Sequence, residues 1–193
     1  MGRKPHYFLA IGLPDETKRE LYLNKEKIKS HFPFKTWVYE QDYHITLAFL
    51  GSIEDPQQLL ALIEKVSTIA EQYNRFRLEL TSFGTFGQDE HPRILWYGIH
   101  KNETLFLLQK DIYKACIELG FLLDTRPYSP HITIGRKWKG EKIFNIKALN
   151  NASWLLNNHK VFKVNQLSLY QTDIESIPKY KPIKFFSLEN NRQ

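Results

Sequence analysis

Tyr43-His44-Ile45-Thr46-Leu47-Ala48-Phe49-Leu50-Gly51 and Pro130-His131-Ile132-Thr133-Ile134-Gly135-Arg136 carry one pattern twice: His-Ile-Thr, then an aliphatic residue, then a small one. Their β-branched, alternating composition predicts a strand for each. Side chains two apart on a strand share a face, so His44 lies with Thr46 and His131 with Thr133. Ile45 and Leu47, like Ile132 and Ile134, then point into a core. Each copy is a rigid platform that presents an imidazole and a hydroxyl together.

Upstream, His6 to Leu13 reads as a buried strand ending at Pro14. Asp15 to about Ser30 reads as an amphipathic helix with Leu21 and Ile28 inward and Lys25, Lys27 and Lys29 in solvent. Phe32 to Tyr39, interrupted by Pro33, reads as a connection into the first motif. Downstream, Asp55-Pro56 begins a helix, with Asp as N-cap and Pro in the first turn, that runs to about Tyr73. Phe76 to Leu80 is a strand, Gly84 to Pro92 a glycine-rich loop and Ile94 to Ile99 another strand. A helix follows from about Glu103 to Leu119, closed by Gly120 in a left-handed conformation. After the second motif come a short helix, Lys147 to Leu156, and a closing pair of strands, Val161 to Tyr170 and Lys181 to Leu188. The tail from Asn190 is polar and frayed. The motif histidines stand 87 residues apart, about half the chain, so residues 1–193 are expected to form one bilobal α+β domain.

The composition, 42% hydrophobic and 25% charged over 193 residues, is that of a soluble globular protein rather than a disordered or fibrous one. No long apolar segment or cleavage signature follows Met1 to Lys4, which predicts a cytoplasmic protein with no membrane partner. The single cysteine, Cys116, cannot close an intramolecular disulfide and reads as a small core residue of the third helix. Residues 1–96 carry 12 basic and 13 acidic side chains, whereas residues 97–193 carry 15 and 8. A basic second half suits either a phosphate-bearing partner or a merely solvated surface.

A lone strand histidine is usually structural, but core packing needs neither a repeated imidazole nor a repeated hydroxyl. If the two strands face each other, one imidazole can take a proton while the other gives one, both titrating near ~6.5 when unperturbed. That arrangement fits in-line displacement at phosphorus, with the threonine hydroxyls holding the equatorial oxygens and no metal required. The rival chemistries lack their signatures. There is no Cys-x-x-Cys, no carboxylate at ligand spacing beside either motif and no His-Glu-x-x-His for zinc. There is no Gly-x-Ser-x-Gly elbow, and Gly84-Thr85-Phe86-Gly87 lacks the Gly-Lys-Ser/Thr of a P-loop. His6, His31, His91, His100 and His159 have no partner in the sequence and default to surface or core.

On Tyr7-Phe8-Leu9-Ala10-Ile11, on His44 to Gly51, on Pro130 to Thr133 and on Arg136, the chain resembles the two-histidine (2H) phosphoesterases. Within that superfamily it is similar to the LigT-like RNA 2′,3′-cyclic phosphodiesterases. The resemblance implies two α+β lobes, each on an antiparallel sheet, related by a pseudo-twofold and enclosing a basic cleft. It implies metal-independent hydrolysis of an RNA 2′,3′-cyclic phosphodiester to a 2′-phosphomonoester, without cofactor, and a weak reverse joining of RNA ends through a 2′,5′ linkage. By the same resemblance His44 is the proton donor, His131 the proton acceptor, and Thr46, Thr133 and Arg136 bind the phosphate. The partner is RNA with a cyclic phosphate end, or a cyclic nucleotide, and the protein is expected to act as a monomer.

The second motif departs from the commoner His-x-Thr-Leu-Ala-Arg by reading Ile134-Gly135-Arg136. Strict alternation also puts Arg136 opposite His131 and Thr133, so a place at the substrate requires the strand to end, bulge or twist there. Phe86 and Trp138 are candidates to stack on a base. Two other readings stay open: the same fold acting on 2′,5′-oligoadenylate or another small cyclic phosphate, and a non-catalytic RNA-binding module using the basic half.

Overall fold

The computed structural model describes residues 4–153, 155 and 161–189. In chain order the elements are β1 (Tyr7–Gly12), α1 (Asp15–His31), β2 (Phe34–Trp37), a 3-10 turn (Glu40–Asp42), β3 (His44–Gly51), α2 (Pro56–Ala70), β4 (Phe76–Gly87) and β5 (Pro92–Ile99). They continue as α3 (Glu103–Glu118), β6 (His131–Trp138), α4 (Ile146–Asn150), β7 (Val161–Val164), β8 (Gln166–Thr172) and β9 (Tyr180–Ser187). The strands make two antiparallel sheets, ordered β3-β1-β8-β9 and β2-β6-β5-β4-β7.

The two sheets share a plan. Each sets its His-Ile-Thr strand, β3 or β6, beside the strand that precedes a long helix, β1 or β5. Strands also cross between the sheets: β2 precedes β3 in the chain but pairs with β6 in the second sheet, while β8 and β9, near the end of the chain, complete the first. The helices cross over in the same way. On α1, which follows β1, Asn24 donates to the Tyr97 hydroxyl on β5 at 2.8 Å. On α3, which follows β5, Gln109 donates to the Leu47 carbonyl of β3 at 3.3 Å. Each half thus buries its helix partly against the other, and the apolar interior is continuous, from Leu9, Ile11, Ile45 and Leu47 to Leu95, Ile112, Ile132 and Ile134.

The helix ends follow their sequence signals. Asp55 accepts from the Gln57 amide at 2.9 Å and Asn102 from Leu105 at 2.9 Å, each satisfying an orphan donor of the first turn. At the end of α3, Gly120 takes φ +83°, and the Phe121 amide returns to the Cys116 carbonyl at 3.0 Å. Cys116 is buried, and burial pushes its thiol up to about 12, which keeps it a protonated core residue.

Several local expectations are corrected. Phe34–Trp37 is a strand rather than a connection, because β6 gives its backbone a partner across the chain. Gly84 to Gly87 belong to β4 rather than to a loop, and Gly84 is there because the Trp96 ring lies against it, 2.1 Å from where a Cβ would stand. Val161 to Tyr170 is two strands, not one: β7 pairs with β4, and β8 pairs with β1 and β9 in the other sheet. The short helix is Ile146–Asn150, and residues 154 and 156 of its expected course lie outside the described residues, as does the tail from Asn190. Lys25 is buried rather than solvated; its ammonium sits 3.1 Å from Glu26 and over the Tyr22 ring.

Candidate active site

Each histidine is the first residue of its strand, and each Nδ1 donates to the carbonyl two residues upstream. The distances are 2.7 Å from His44 to Asp42 and 2.7 Å from His131 to Ser129. This bond fixes the tautomer, leaving Nε2 of each ring as the atom available for proton transfer. The His44 Nε2 lies 3.1 Å from Thr46 Oγ1 and, in that tautomer, accepts the threonine proton.

A matched bulge follows each threonine. Opposite β1, Ala10 faces Thr46 while Leu9 faces Ala48, so Leu47 is an extra residue. Opposite β5, Trp96 faces Thr133 while Leu95 faces Gly135, so Ile134 is the extra residue. Leu47 and Ala48 are accordingly both buried, as are Ile134 and Gly135. The bulge resets the alternation: Arg136, opposite Ile94, returns to the face of His131 and Thr133. Phe49, opposite Phe8, does the same in the first sheet and is 53% exposed. The arginine thus reaches the histidine face by the bulge that the sequence pattern required of it.

Around His44 the wall is aromatic. Phe8 is 4.9 Å away and Tyr180 stands edge-on at 5.1 Å, with Tyr170 beyond at 6.2 Å. His131 has Phe86 edge-on at 4.8 Å and Trp96 at 6.0 Å. Burial lowers the pKa of His44 to about 4, against the Asp42 carbonyl, which raises it; charge on His131 and Arg136 lowers it further. His131 is lowered for the same leading reason, burial, with Arg136 again opposing its protonation. Two imidazoles from different sheets and one guanidinium therefore share an electrostatic neighbourhood where β3 meets β6. In the absence of an anion both rings are neutral at neutral pH, and an anion entering beside Arg136 favours protonation of each.

His44, Thr46, His131, Thr133 and Arg136 all lie on these two inner faces. Phe86 also stands at the site, but Trp138 does not: it packs against Phe34 and Phe144 and donates its indole N–H to the Lys142 carbonyl at 3.0 Å. Sequence reasoning did not single out Asp42, Phe8, Trp96, Tyr170 and Tyr180. Position relative to His44 was a signal for Asp42, and the pairing of β1 with β3 for Phe8; Tyr180 is 136 residues from His44 and had none. The Trp96 indole N–H is buried beside His131 without a hydrogen-bond partner. A separate hollow of about 390 Å³, lined by Ser67, Arg75 and Lys184 among others, contains none of these residues. Among the described residues, no three His, Cys, Asp or Glu side chains converge as a metal-holding set, and no helix is long and apolar enough to cross a membrane.

Comparisons with known proteins bear on the family and the fold. The LigT-like phosphoesterase family profile matches residues 11–96 and 99–177, a span that contains both motifs. A Bacillus subtilis (strain 168) protein named RNA 2′,3′-cyclic phosphodiesterase is 32% identical over 185 residues, 96% of this chain and 97% of its own. A Geobacillus stearothermophilus protein of the same name is 43% identical over 186 residues, and the chain spans 58% of that relative's length. Among solved structures, one from Thermus thermophilus superposes with a TM-score of 0.76 at 22% identity, over 97% of this chain and 100% of that one. E. coli LigT superposes with 0.73 at 24% identity, over the same shares. With the family profile matched over most of its length and a 32% identical relative covered almost end to end, the chain belongs to the LigT-like phosphoesterase family.

Proposed function

We propose that the chain is a hydrolase that opens RNA 2′,3′-cyclic phosphodiester ends to 2′-phosphomonoesters by acid–base catalysis between His44 and His131. The observation that carries this reading is the pair of imidazoles: each is held by a carbonyl two residues upstream, and a positive charge on His131 opposes one on His44. The names of the Bacillus and Geobacillus relatives support the substrate.

His131 Nε2 takes a proton from water as its oxygen bonds to phosphorus. The P–O3′ bond breaks on the opposite side, and His44 Nε2–H protonates the departing 3′ oxygen. Thr46, Thr133 and Arg136 hold the non-bridging oxygens and stabilise the charge that develops on them. A protonated His44 and a neutral His131 start the reaction and their roles exchange over the cycle. The bound phosphodiester anion makes that state accessible, because it favours protonation of a ring that burial otherwise keeps neutral. The chain works as one bilobal monomer in the cytoplasm, and the weak reverse joining of RNA ends through a 2′,5′ linkage follows from reversibility.

The test is turnover of a 2′,3′-cyclic nucleotide in excess EDTA by the native protein and by His44→Ala and His131→Ala. Loss of roughly 10²–10⁴-fold in kcat in each variant is expected. A panel including 2′,5′-oligoadenylate decides the substrate. Salt-sensitive RNA binding without turnover would instead identify a binding module.

A further inference from the structure

In-line displacement puts the attacking and departing oxygens on opposite sides of phosphorus. The ribose of a 2′,3′-cyclic nucleotide carries both O2′ and O3′, so when O3′ departs toward His44 the nucleoside lies on that side. The seat beside His131 then faces the nucleophile alone, and a water molecule there has no use for an aromatic wall. The protein nonetheless has one. Phe86 stands edge-on to the His131 ring, at 4.8 Å and 86°, and the Trp96 ring lies 6.0 Å from it. Phe86 and Trp96 are themselves 5.1 Å apart and tilted by 39°.

The pairing of β4, β5 and β6 puts both side chains on the histidine face. Phe86 lies opposite Ile94, which lies opposite Arg136, and Trp96 lies opposite Thr133. Two glycines make room for the indole against the sheet. Three atoms of its six-membered ring lie within 2.6 Å of where a Cβ would stand on Gly84, and one lies 3.2 Å from the same point on Gly98, the partner of His131. The ring therefore lies over the sheet instead of projecting from it. Phe86 is 37% exposed and Trp96 half-buried, so aromatic surface remains open beside the nucleophile's seat.

We propose that Phe86 and Trp96 form a subsite for a second nucleoside, the one whose 5′ oxygen occupies the place of water in a 2′,5′ link. This rests on the acid–base reading above. In the joining direction O5′ loses its proton to His131 and bonds to phosphorus, while the P–O3′ bond breaks and His44 protonates O3′. In the cleaving direction His44 takes the proton of the 3′-hydroxyl and O3′ bonds to phosphorus, while the P–O5′ bond breaks and protonated His131 returns a proton to O5′. Each direction exchanges one P–O bond for another and needs no co-reactant. A base stacked on these rings holds the second nucleoside whatever its identity, because every base has a π-face.

The experiment measures kcat/KM on two substrates, 2′,5′-linked diadenosine monophosphate and adenosine 2′,3′-cyclic phosphate, and takes the ratio of the first to the second. An effect of Phe86 on the His131 ring is common to both substrates and cancels in the ratio. Phe86→Ala is expected to lower the ratio about tenfold, and Phe86→Tyr, which keeps a stacking ring, to restore it. A ratio that Phe86→Ala leaves unchanged or raises overturns the subsite, as does a native protein that opens the cyclic substrate without cleaving the linked one. His44→Ala is measured on both substrates alongside. Turnover retained there defeats the acid–base reading itself, whereas an inactive His44→Ala beside an unchanged ratio in Phe86→Ala defeats only the second-nucleoside subsite.

Discussion

Binding of a phosphomonoester should move the titration of His44 by several units. In the free protein burial holds this imidazole at about 4, with His131 and Arg136 contributing in the same direction. Against an ordinary ~6.5, that depression is worth about 3 kcal/mol at ~1.4 kcal/mol per unit. A phosphate charge placed about 4 Å from Nε2, at an effective dielectric of ~20, returns about 4 kcal/mol, enough to offset the depression. The expected result is a His44 midpoint near 4 alone and about 6–7 when the protein is saturated with a nucleoside 2′-phosphate. His131 should shift upward too, since Arg136 and burial depress it in the same way. Imidazole resonances followed by NMR across pH, with His44→Ala and His131→Ala to assign them, make the measurement. A midpoint near ~6.5 without ligand, unmoved by saturating 2′-phosphate, would refute both the desolvation of His44 and the seat for phosphate beside it.

Three further outcomes follow from the same geometry. Arg136→Gln should raise the titration midpoints of both His44 and His131 in the free protein, because the guanidinium opposes protonation of each, while raising KM; NMR and steady-state kinetics separate the effects. Acid stability should fall with a limb set by His44. The unfolded chain binds its proton below ~6.5 and the folded protein only below about 4, so stability drops as pH decreases between these values, by at most roughly 3 kcal/mol; urea unfolding of His44→Asn should show a flatter limb over that window. Ile132, fully buried between His131 and Thr133, should cost roughly 2–5 kcal/mol in urea unfolding when changed to Ala, and a loss under ~1 kcal/mol would show that β6 is not part of the core.

The histidine faces were legible in the sequence because alternation on a strand is local: Ile45, Leu47, Ile132 and Ile134 are all buried, and the two His-Thr pairs lie on the opposite side. The place of Arg136 was legible only as a condition, since a bulge at Ile134 is a property of the pairing with β5 and not of β6 alone. What the pattern misassigned depends on distant partners. Phe34–Trp37 becomes a strand through β6, about a hundred residues on, and the chain changes sheet at Asn165 between two runs that alternate alike. Gly84 looked like a turn residue because its reason, the Trp96 ring across it, lies on the neighbouring strand. Trp138 looked available between two lysines, yet Phe34 and Phe144 enclose it from elements that only the fold brings near. Tyr180 was silent for the same reason: its backbone amide is fixed by Asp42, 138 residues earlier in the chain.

The central claim, that paired imidazoles open a cyclic phosphate, is tested most directly by the product of one reaction. Purified protein in excess EDTA, given a nucleoside 2′,3′-cyclic phosphate, should yield only the 2′-phosphomonoester, resolved from the 3′ isomer by chromatography, and both His44→Ala and His131→Ala should leave the substrate intact. Formation of the 3′-phosphate, or undiminished turnover in either variant, would contradict it.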